Sequence, residues 1–236
     1  MNTSPNEDLK KAVDIIMEER GPLEPSKLIP MEVLELQARS EIREMLRFNE
    51  EAQNIKNALH VLAVVGPQIH GQQYMEKMFE ELHGVGERME EFADRIANEP
   101  NKIIDIIGIS YESLESILII AKDQYENNQM KSAEHLYFLL TTFCPFNADF
   151  WFCLGSARQN QEKYIEATQN YIKAAEVDTK DPLPYLYAAE CCLNEGDLKS
   201  AEMWQDAGLN RLHEIEDNEE VGKLFSDFND VMKATA

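Results

Sequence analysis

The sequence predicts an all-α protein whose C-terminal half is a solenoid of three tandem helix pairs, and two observations support this prediction. Apolar residues recur three and four positions apart along most of the chain, which is the spacing of one face of an α-helix. In addition, Ala133, Ala167 and Ala201 follow one another at a fixed interval of 34 residues. A fixed period of this length indicates supersecondary units that stack on one another.

The 34-residue period is typical of the tetratricopeptide repeat, a helix-turn-helix unit. Small residues lie where the two helices of a pair would touch, large residues lie one turn earlier, and an apolar residue opens each second helix. These columns are Ala121, Gly155 and Ala189; Ile117, Trp151 and Tyr185; and Met130, Tyr164 and Leu198. Tyr137 and Tyr171 form a fourth column, from which Gln205 departs. Small residues allow helices to approach closely, and large ones fill the gaps between them.

The first hundred residues form a long helical N-terminal region in this prediction. Residues 1–30 are a polar arm and linker, with an amphipathic helix at 7–20 and then three prolines that stop it. Residues 31–100 hold two helical runs. The first extends from Met31 to about Val65, where Gly66-Pro67 ends it.

The second run carries apolar residues spaced alternately three and four apart, which is the seam of a helix that packs on a partner helix. Its members are Met75, Met78, Leu82, Val85, Met89, Phe92 and Ile96. Two alternatives remain. The seam pairs within the chain as a helical hairpin, or part of it forms a homodimer interface. Gly84 and Gly86 weaken this run and are candidate positions for a break.

The repeats occupy residues 108–212, and residues 213–236 form a strongly acidic segment with helical spacing. We expect a capping helix in this segment, because the last repeat of a stack needs a polar outer face. Phe225 and Phe228 are placed to pack against the third repeat.

The composition limits the class of partner. The formal charge of −22 disfavours nucleic acid and anionic membrane surfaces, because both bind through Lys and Arg. It suits a basic partner, or a partner that must be kept in solution. The N-terminus has no secretory signal pattern, and no apolar run approaches the ~20 residues that span a bilayer. We therefore expect a cytosolic protein that does not insert into membranes.

No residue pattern predicts catalysis, a metal site or a cofactor. The five histidines fall outside zinc and nucleophile motifs, and acidic pairs are too abundant to identify a catalytic dyad. The four cysteines form no C-x-x-C pair, so we expect reduced, mostly buried thiols. They are Cys144, Cys153, Cys191 and Cys192. The sequence therefore indicates a binding protein rather than an enzyme.

A stack of three helix pairs leaves a concave groove lined by the first helix of each pair. The fifth, ninth and twelfth positions of each repeat face this groove. They are Leu118, Lys122 and Tyr125; Phe152, Ser156 and Gln159; and Leu186, Glu190 and Leu193. Because five of these nine residues are large and apolar or aromatic, the pattern indicates a peptide site. The alternative is that the N- or C-terminal helix fills the groove.

Several stretches of the repeat region resemble one family. They are Leu114–Leu118, Gln124-Tyr125, Ala133–Tyr137, Phe150–Gln159, Ala188–Leu193 and Gly196–Leu198. Across roughly Gly108 to Leu212 the chain resembles the class II type III secretion chaperones, the translocator chaperones that are also called low-calcium-response protein H-like. The strings Leu-Gly-Ser-Ala-Arg-Gln and Ala-Ala-Glu-Cys-Cys-Leu, in successive repeats, carry the more specific part of this resemblance.

The resemblance implies a chaperone in the bacterial cytoplasm that binds hydrophobic, pore-forming translocator proteins before their secretion. It implies that an extended client segment lies in the groove and that the chaperone self-associates through N-terminal helices. The groove anchors that it implies are Leu118, Tyr125, Met130, Tyr137 and Phe152. Lys122 departs from the family, which usually has an aromatic residue at this position.

A general repeat adaptor or regulatory scaffold, binding a peptide segment of another protein, is the alternative function. An adaptor that clamps C-terminal carboxylates needs Lys, Arg and Asn side chains that converge on the peptide end. The matching positions are Leu118, Lys122, Cys153, Leu183 and Tyr187, of which only Lys122 fits.

Overall fold

The computed structural model of the chain describes residues 5–20, 31–214 and 219–235. Within these ranges every regular element is helical, which confirms the all-α class. The chain divides into two compact units, Met1–Asn54 and Ile55–Ala236. No helix in the described ranges combines the length and the hydrophobicity that crossing a membrane requires.

The first unit contains α1 (Pro5–Arg20) and the first part of α2 (Met31–His70). α1 begins slightly before the predicted start at Glu7. Its side chains include Asp14, which accepts a hydrogen bond from Arg39 of α2. Among the side chains of this unit that the structure describes, Val13, Ala38 and Ile42 are buried and apolar. The predicted proline linker at 21–30 lies outside the described residues.

α2 continues past Val65 and through Pro67 to His70. The prediction that Gly66-Pro67 ends this helix was wrong. Pro67 removes only its own N–H donor, and a single turn of helix follows it. The helix then ends at Gly71, whose φ of 83° is a conformation that glycine adopts at little cost. Gly66 serves packing instead, because a Cβ atom there would lie 2.4 Å from Cε of Met75 on the next helix.

The predicted second run is divided into short helices. They are α3 (Gln72–Leu82), α4 (Val85–Glu91) and α5 (Ala93–Asn98), followed by a 3₁₀ turn (Pro100–Lys102) and α6 (Ile103–Ile107). Gly84, with φ 68°, makes the first break, at one of the two glycines expected to weaken the run. Four seam residues are buried in one apolar cluster with residues of α2 and of the repeats: Met75, Met78, Leu82 and Val85. These four therefore pack within the chain.

Three helix pairs follow at the predicted positions. α7 (Tyr111–Glu126) pairs with α8 (Met130–Phe143), α9 (Ala148–Gln159) with α10 (Tyr164–Val177), and α11 (Leu183–Asn194) with α12 (Leu198–Leu212). From α7 to α12, each helix packs against the next one in the chain, as in a stack of helix pairs. The second helices begin at Met130, Tyr164 and Leu198, in agreement with the predicted register.

Side-chain caps fix the starts of α7, α9 and α12. Ser110, Asn147 and Asp197 each accept a hydrogen bond from the backbone N–H three residues later, at 3.2, 3.3 and 3.0 Å. Such a cap satisfies one of the N–H groups that the first turn of a helix leaves without a backbone partner. The three helices thus begin at residues whose side chains are suited to that position.

Small residues lie at the contacts between helices, as predicted. Ala133, Ala167 and Ala201 are fully buried, and Gly155 of α9 lies against the ring of Tyr171 in α10. A Cβ atom at Gly155 would lie 2.8 Å from Cε1 of Tyr171. Because Tyr171 is itself fully buried, its ring has little room to move away.

We expect Gly155→Ala to lower the free energy of unfolding by about 1–3 kcal/mol, the usual cost of overpacking a core. Gly86→Ala in α4 is the matched control, because no atom lies within 4 Å of the added methyl group. That change should raise the stability by up to about 1 kcal/mol, since alanine favours helix over glycine. Urea denaturation measures the free energy of unfolding of both variants. Equal changes in the two variants would contradict the close contact of Gly155 with Tyr171.

The last helix, α13 (Glu219–Thr235), packs on α11 and α12. Phe225 and Phe228 are buried in one cluster with Leu186 and Ala201 of the third pair, as the sequence predicted. Gly208 of α12 allows this contact, because a Cβ atom there would lie 2.6 Å from Cζ of Phe225. α13 therefore covers the end of the stack.

Candidate functional site

The nine groove positions predicted from the sequence lie on α7, α9 and α11, the first helix of each pair, and we call them the first-helix row. Hydrogen bonds connect neighbouring helices along the row. The Tyr125 hydroxyl lies 2.7 Å from Oγ of Ser156, and Nε2 of Gln159 donates to Oε2 of Glu190 at 3.2 Å. Asn160 also donates to the Tyr125 hydroxyl at 2.8 Å. The structure thus brings residues of all three helices into one connected surface.

An aromatic group supports the middle of the row. The ring of Phe152 lies 5.2 Å from that of Tyr171 and 5.1 Å from that of Tyr187, the latter in an edge-to-face arrangement. Tyr171 donates its hydroxyl hydrogen to Oε1 of Gln159 at 2.6 Å. Because burial raises the pKa of Tyr171, this hydroxyl remains a donor across the neutral range. Phe152 and Gln159 are therefore held in place by a buried side chain of α10.

The exposure of the predicted site residues varies along the row. Lys122 is exposed, and six residues are half-buried: Leu118, Tyr125, Met130, Phe152, Gln159 and Leu193. Half-buried aromatic and aliphatic side chains combine a fixed position with an apolar surface that a partner can contact.

Tyr137, an expected groove anchor, and Leu186, an expected groove position, are both buried in the structure. Tyr137 is 3% exposed, and its hydroxyl hydrogen-bonds the thiol of Cys153. It belongs to the fourth column of the repeats, whose tyrosine side chains lie on the second helices and fill the space between helices. Leu186 is 2% exposed, because α13 lies against it.

α13 adds side chains to the row that the sequence reasoning missed. Leu224, Asp227 and Val231 line a cavity of about 340 Å³ together with Glu190 and Leu193. A signal for two of them was present in the sequence, because Leu224 follows Glu190 and Asp227 follows Leu193 at the same 34-residue interval. The C-terminal helix therefore extends the row and also forms a wall at its end.

Behind the row, a buried carboxylate joins the first two helix pairs. Glu134 of α8 is 5% exposed and accepts hydrogen bonds from Arg158, at 3.0 Å, from Gln161, at 2.9 Å, and from Lys163. Burial raises the pKa of Glu134, but the hydrogen bond and charge of Lys163 and the charge of Arg158 outweigh it and hold the pKa below its ordinary value. This carboxylate stabilises the stack in its ionised form.

Potential metal ligands and thiols are the remaining candidates for chemistry among the described residues. Within the described ranges, no group of three His, Cys, Asp or Glu side chains is arranged to hold a metal ion. All four cysteines are free, as predicted, and Cys191 and Cys192 are buried. Burial raises the pKa of each thiol. The thiols are therefore protonated at neutral pH and weak as nucleophiles.

Comparison with known proteins shows similarity over part of the chain. No protein-family model matches the chain. The low calcium response locus protein H of Yersinia pestis is 32% identical over 94 residues, which are 40% of this chain and 56% of that protein. The chain thus spans little more than half the length of this curated relative.

Two solved structures of chaperones resemble the fold of this chain over about half of its length. PcrH in complex with the chaperone-binding region of PopD has a TM-score of 0.51 and 25% identity, covering 54% of this chain and 96% of PcrH. The Yersinia enterocolitica translocator chaperone SycD, in an alternative dimer, has a TM-score of 0.50 and 25% identity, covering 53% of this chain and 96% of SycD. In sequence and in fold, about half of this chain is therefore similar to the class II translocator chaperones of type III secretion.

Proposed function

We propose that the chain is a cytoplasmic chaperone of a bacterial type III secretion system and that it binds an extended segment of a hydrophobic translocator protein along the first-helix row. The observation that carries this proposal is the row of half-buried apolar side chains on successive first helices. The similarity of the chain to low calcium response locus protein H supports the same assignment. The similar chaperone PcrH is seen with the chaperone-binding region of PopD.

The physical basis of the mechanism is shielding of apolar segments. A translocator exposes apolar stretches that would aggregate or insert prematurely in the cytoplasm. An extended segment can place alternate side chains against Leu118, Tyr125 and Phe152 while its other side chains face water. Ordering a disordered client costs entropy, so the affinity per unit of contact area stays modest and release to an export machine remains accessible. The charge of −22 keeps such a complex in solution. In this proposal the chain is a binding protein and not an enzyme.

Replacement of Tyr125 and Phe152 by serine tests the proposed site. Each buried aromatic anchor of an interface contributes about 2 kcal/mol, which is roughly thirtyfold in affinity, so the double variant should bind a co-expressed translocator of the source bacterium at least about thirtyfold more weakly. The measurement is recovery of the translocator with the tagged chain, followed by titration of the purified complex.

The matched control replaces Tyr111 and Phe146, which are the same residue types, lie outside the row and are 69% and 56% exposed. Circular dichroism and melting temperature verify that both double variants are folded. If the two variants recover equal amounts of translocator, the binding site is elsewhere. If the wild-type chain recovers none, the proposed function is wrong.

We further propose that the first unit mediates self-association of the chain. The resemblance to the translocator chaperones implies self-association through N-terminal helices. SycD is seen as a dimer, and residues 1–54 of this chain form a compact unit separate from the one that holds the repeats. Removal of residues 1–54 should therefore lower the mass measured by light scattering to that of one chain while the second unit keeps its helical content. An unchanged number of chains per particle would exclude this role. Truncation beyond this point is unsuitable, because Met75 and Met78 are buried in the core of the second unit.

A further inference from the structure

The cavity between α11 and α13 has a mixed lining that the proposed function does not explain. Its volume of about 340 Å³ is at the lower end of the range of ligand pockets and suits one or two side chains rather than a whole ligand. The apolar lining residues are Leu186, Tyr187, Leu193, Leu224, Phe228 and Val231, and the polar ones are Glu190, Asn194 and Asp227.

The apolar part of the lining has a buried floor and exposed walls. Leu186 and Phe228 are 2% and 6% exposed, whereas Leu224 and Val231 are 42% and 54% exposed. Exposed large apolar side chains that adjoin one cavity offer a surface that an apolar group of a partner can contact. This lining therefore suits an aliphatic chain that enters from the open side.

Two carboxylates lie in the same cavity. Glu190 accepts a hydrogen bond from Gln159, and within the described parts of the chain neither Glu190 nor Asp227 forms an ion pair with Lys or Arg. Burial raises the pKa of Glu190 above its ordinary value, and the hydrogen bond from Gln159 offsets only part of this effect. A cation that enters the cavity would therefore relieve an unfavourable burial of negative charge.

We propose that this cavity receives an arginine or lysine side chain of the extended partner segment. The aliphatic stem of such a side chain matches the apolar surface formed by the wall residue Leu224 and the floor residue Phe228, and its cationic head reaches Glu190 and Asp227. Arginine is favoured over lysine, because a planar guanidinium can bond to two carboxylates and stack on the ring of Tyr187. The identity of the partner rests on the proposed function, whereas the preference for a cationic side chain rests on the cavity alone.

The binding surface consequently continues past the three helix pairs onto α13. The partner segment would cross the first-helix row with apolar anchors at α7 and α9 and would end with a basic residue between α11 and α13. A client motif that combines apolar residues with a basic residue at one end follows from this arrangement.

The test uses two synthetic peptides, Gly-Ser-Leu-Arg-Leu-Ser-Gly and Gly-Ser-Leu-Glu-Leu-Ser-Gly, added to the full chain with labelled leucine methyl groups. NMR titration detects weak binding and assigns it to Leu186, Leu193 and Leu224. We expect the arginine peptide to shift these signals with at least about tenfold higher affinity than the glutamate peptide. Equal affinities, or shifts confined to leucines outside the cavity, would overturn the proposal.

Charge reversal separates a specific site from general attraction to a protein of charge −22. Asp227→Lys changes an exposed residue of the cavity and should abolish or reverse the preference. Glu190→Gln with Asp227→Asn removes both charges without adding a buried cation and should remove the preference. Glu202→Lys changes an exposed residue of α12 and should leave it intact. An equal effect of Asp227→Lys and Glu202→Lys would show that only net charge matters and would overturn the proposal.

Recovery of the translocator distinguishes this inference from the proposed function. A chain that recovers its translocator but shows no peptide preference retains the proposed function and loses the arginine site. A chain that prefers the arginine peptide but recovers no translocator retains the site and loses the proposed function.

Discussion

Glu134→Gln should lower the free energy of unfolding by roughly 3 kcal/mol at neutral pH, the cost of breaking a buried ion pair from one side. The substitution leaves the guanidinium of Arg158 in a site where its side chain is 14% exposed. The side chain of Lys163 is 39% exposed, so its ammonium group can be solvated when Glu134 is replaced. Its ion pair therefore contributes little to the lost free energy of unfolding. The effect reaches the whole repeat region, because these side chains join the first two helix pairs.

The pH dependence of this loss has a definite sign. Since the pKa of Glu134 in the folded protein lies below its ordinary value of 4.5, the carboxylate contributes its full stabilisation above that pH. The contribution is lost as the pH falls through the lowered pKa. The wild-type chain and Glu134→Gln should therefore differ most near neutral pH and converge below about pH 4.5.

Chemical denaturation at several pH values measures this difference. Glu176→Gln is the matched control, because Glu176 forms an ion pair with Lys173 at 2.6 Å in which both side chains are more than half exposed. An exposed pair of this kind contributes about 0.5 kcal/mol or less. Equal losses in the two variants would mean that Glu134 does not hold the helix pairs together.

Phe225→Ala should also have a large effect, of about 3–5 kcal/mol, because it empties a fully packed site. Phe225 is 1% exposed, lies against Gly208 of α12 and belongs to one buried cluster with Leu186 of α11. Few other buried side chains attach α13 to the stack. The loss should therefore appear first as local unfolding of α13, detected by faster hydrogen exchange and by proteolysis within this helix.

Leu224→Ala is the control for this change, because Leu224 is the neighbouring residue and is 42% exposed. It should leave stability within about 0.5 kcal/mol, as is usual for surface positions. In the peptide titration the same variant should weaken binding, because Leu224 lines the cavity. If Leu224→Ala destabilises α13 as much as Phe225→Ala does, the face of α13 that packs on the stack is not the one that carries Phe225.

Much of the repeat region could be predicted, because one physical constraint recurs there. Each pair must bury its apolar face against the next, so small residues return at fixed intervals, and the starts of the second helices at Met130, Tyr164 and Leu198 followed from that register. The contact of Phe225 and Phe228 with the third pair was predictable for the same reason.

Other features depend on tertiary contacts that no local pattern reveals. The continuation of α2 past Pro67 depends on the position of the proline close to the helix end. The ionic contacts of Glu134 join side chains that are far apart in sequence, and the chain has 44 acidic residues from which this one does not stand out. The burial of Tyr137 and Leu186 likewise depends on their neighbours in space, since the repeat register gives a direction for a side chain but not its exposure.

The most direct test of the central claim is photo-crosslinking from the first-helix row. Lys122 of α7 and Lys173 of α10 are both exposed, and only Lys122 belongs to the row. A photoreactive amino acid is placed at one or the other position in cells that co-express a translocator. We expect a crosslinked complex from position 122 and none from position 173. Crosslinking from position 173 alone would show that the partner binds the second helices and would contradict the account.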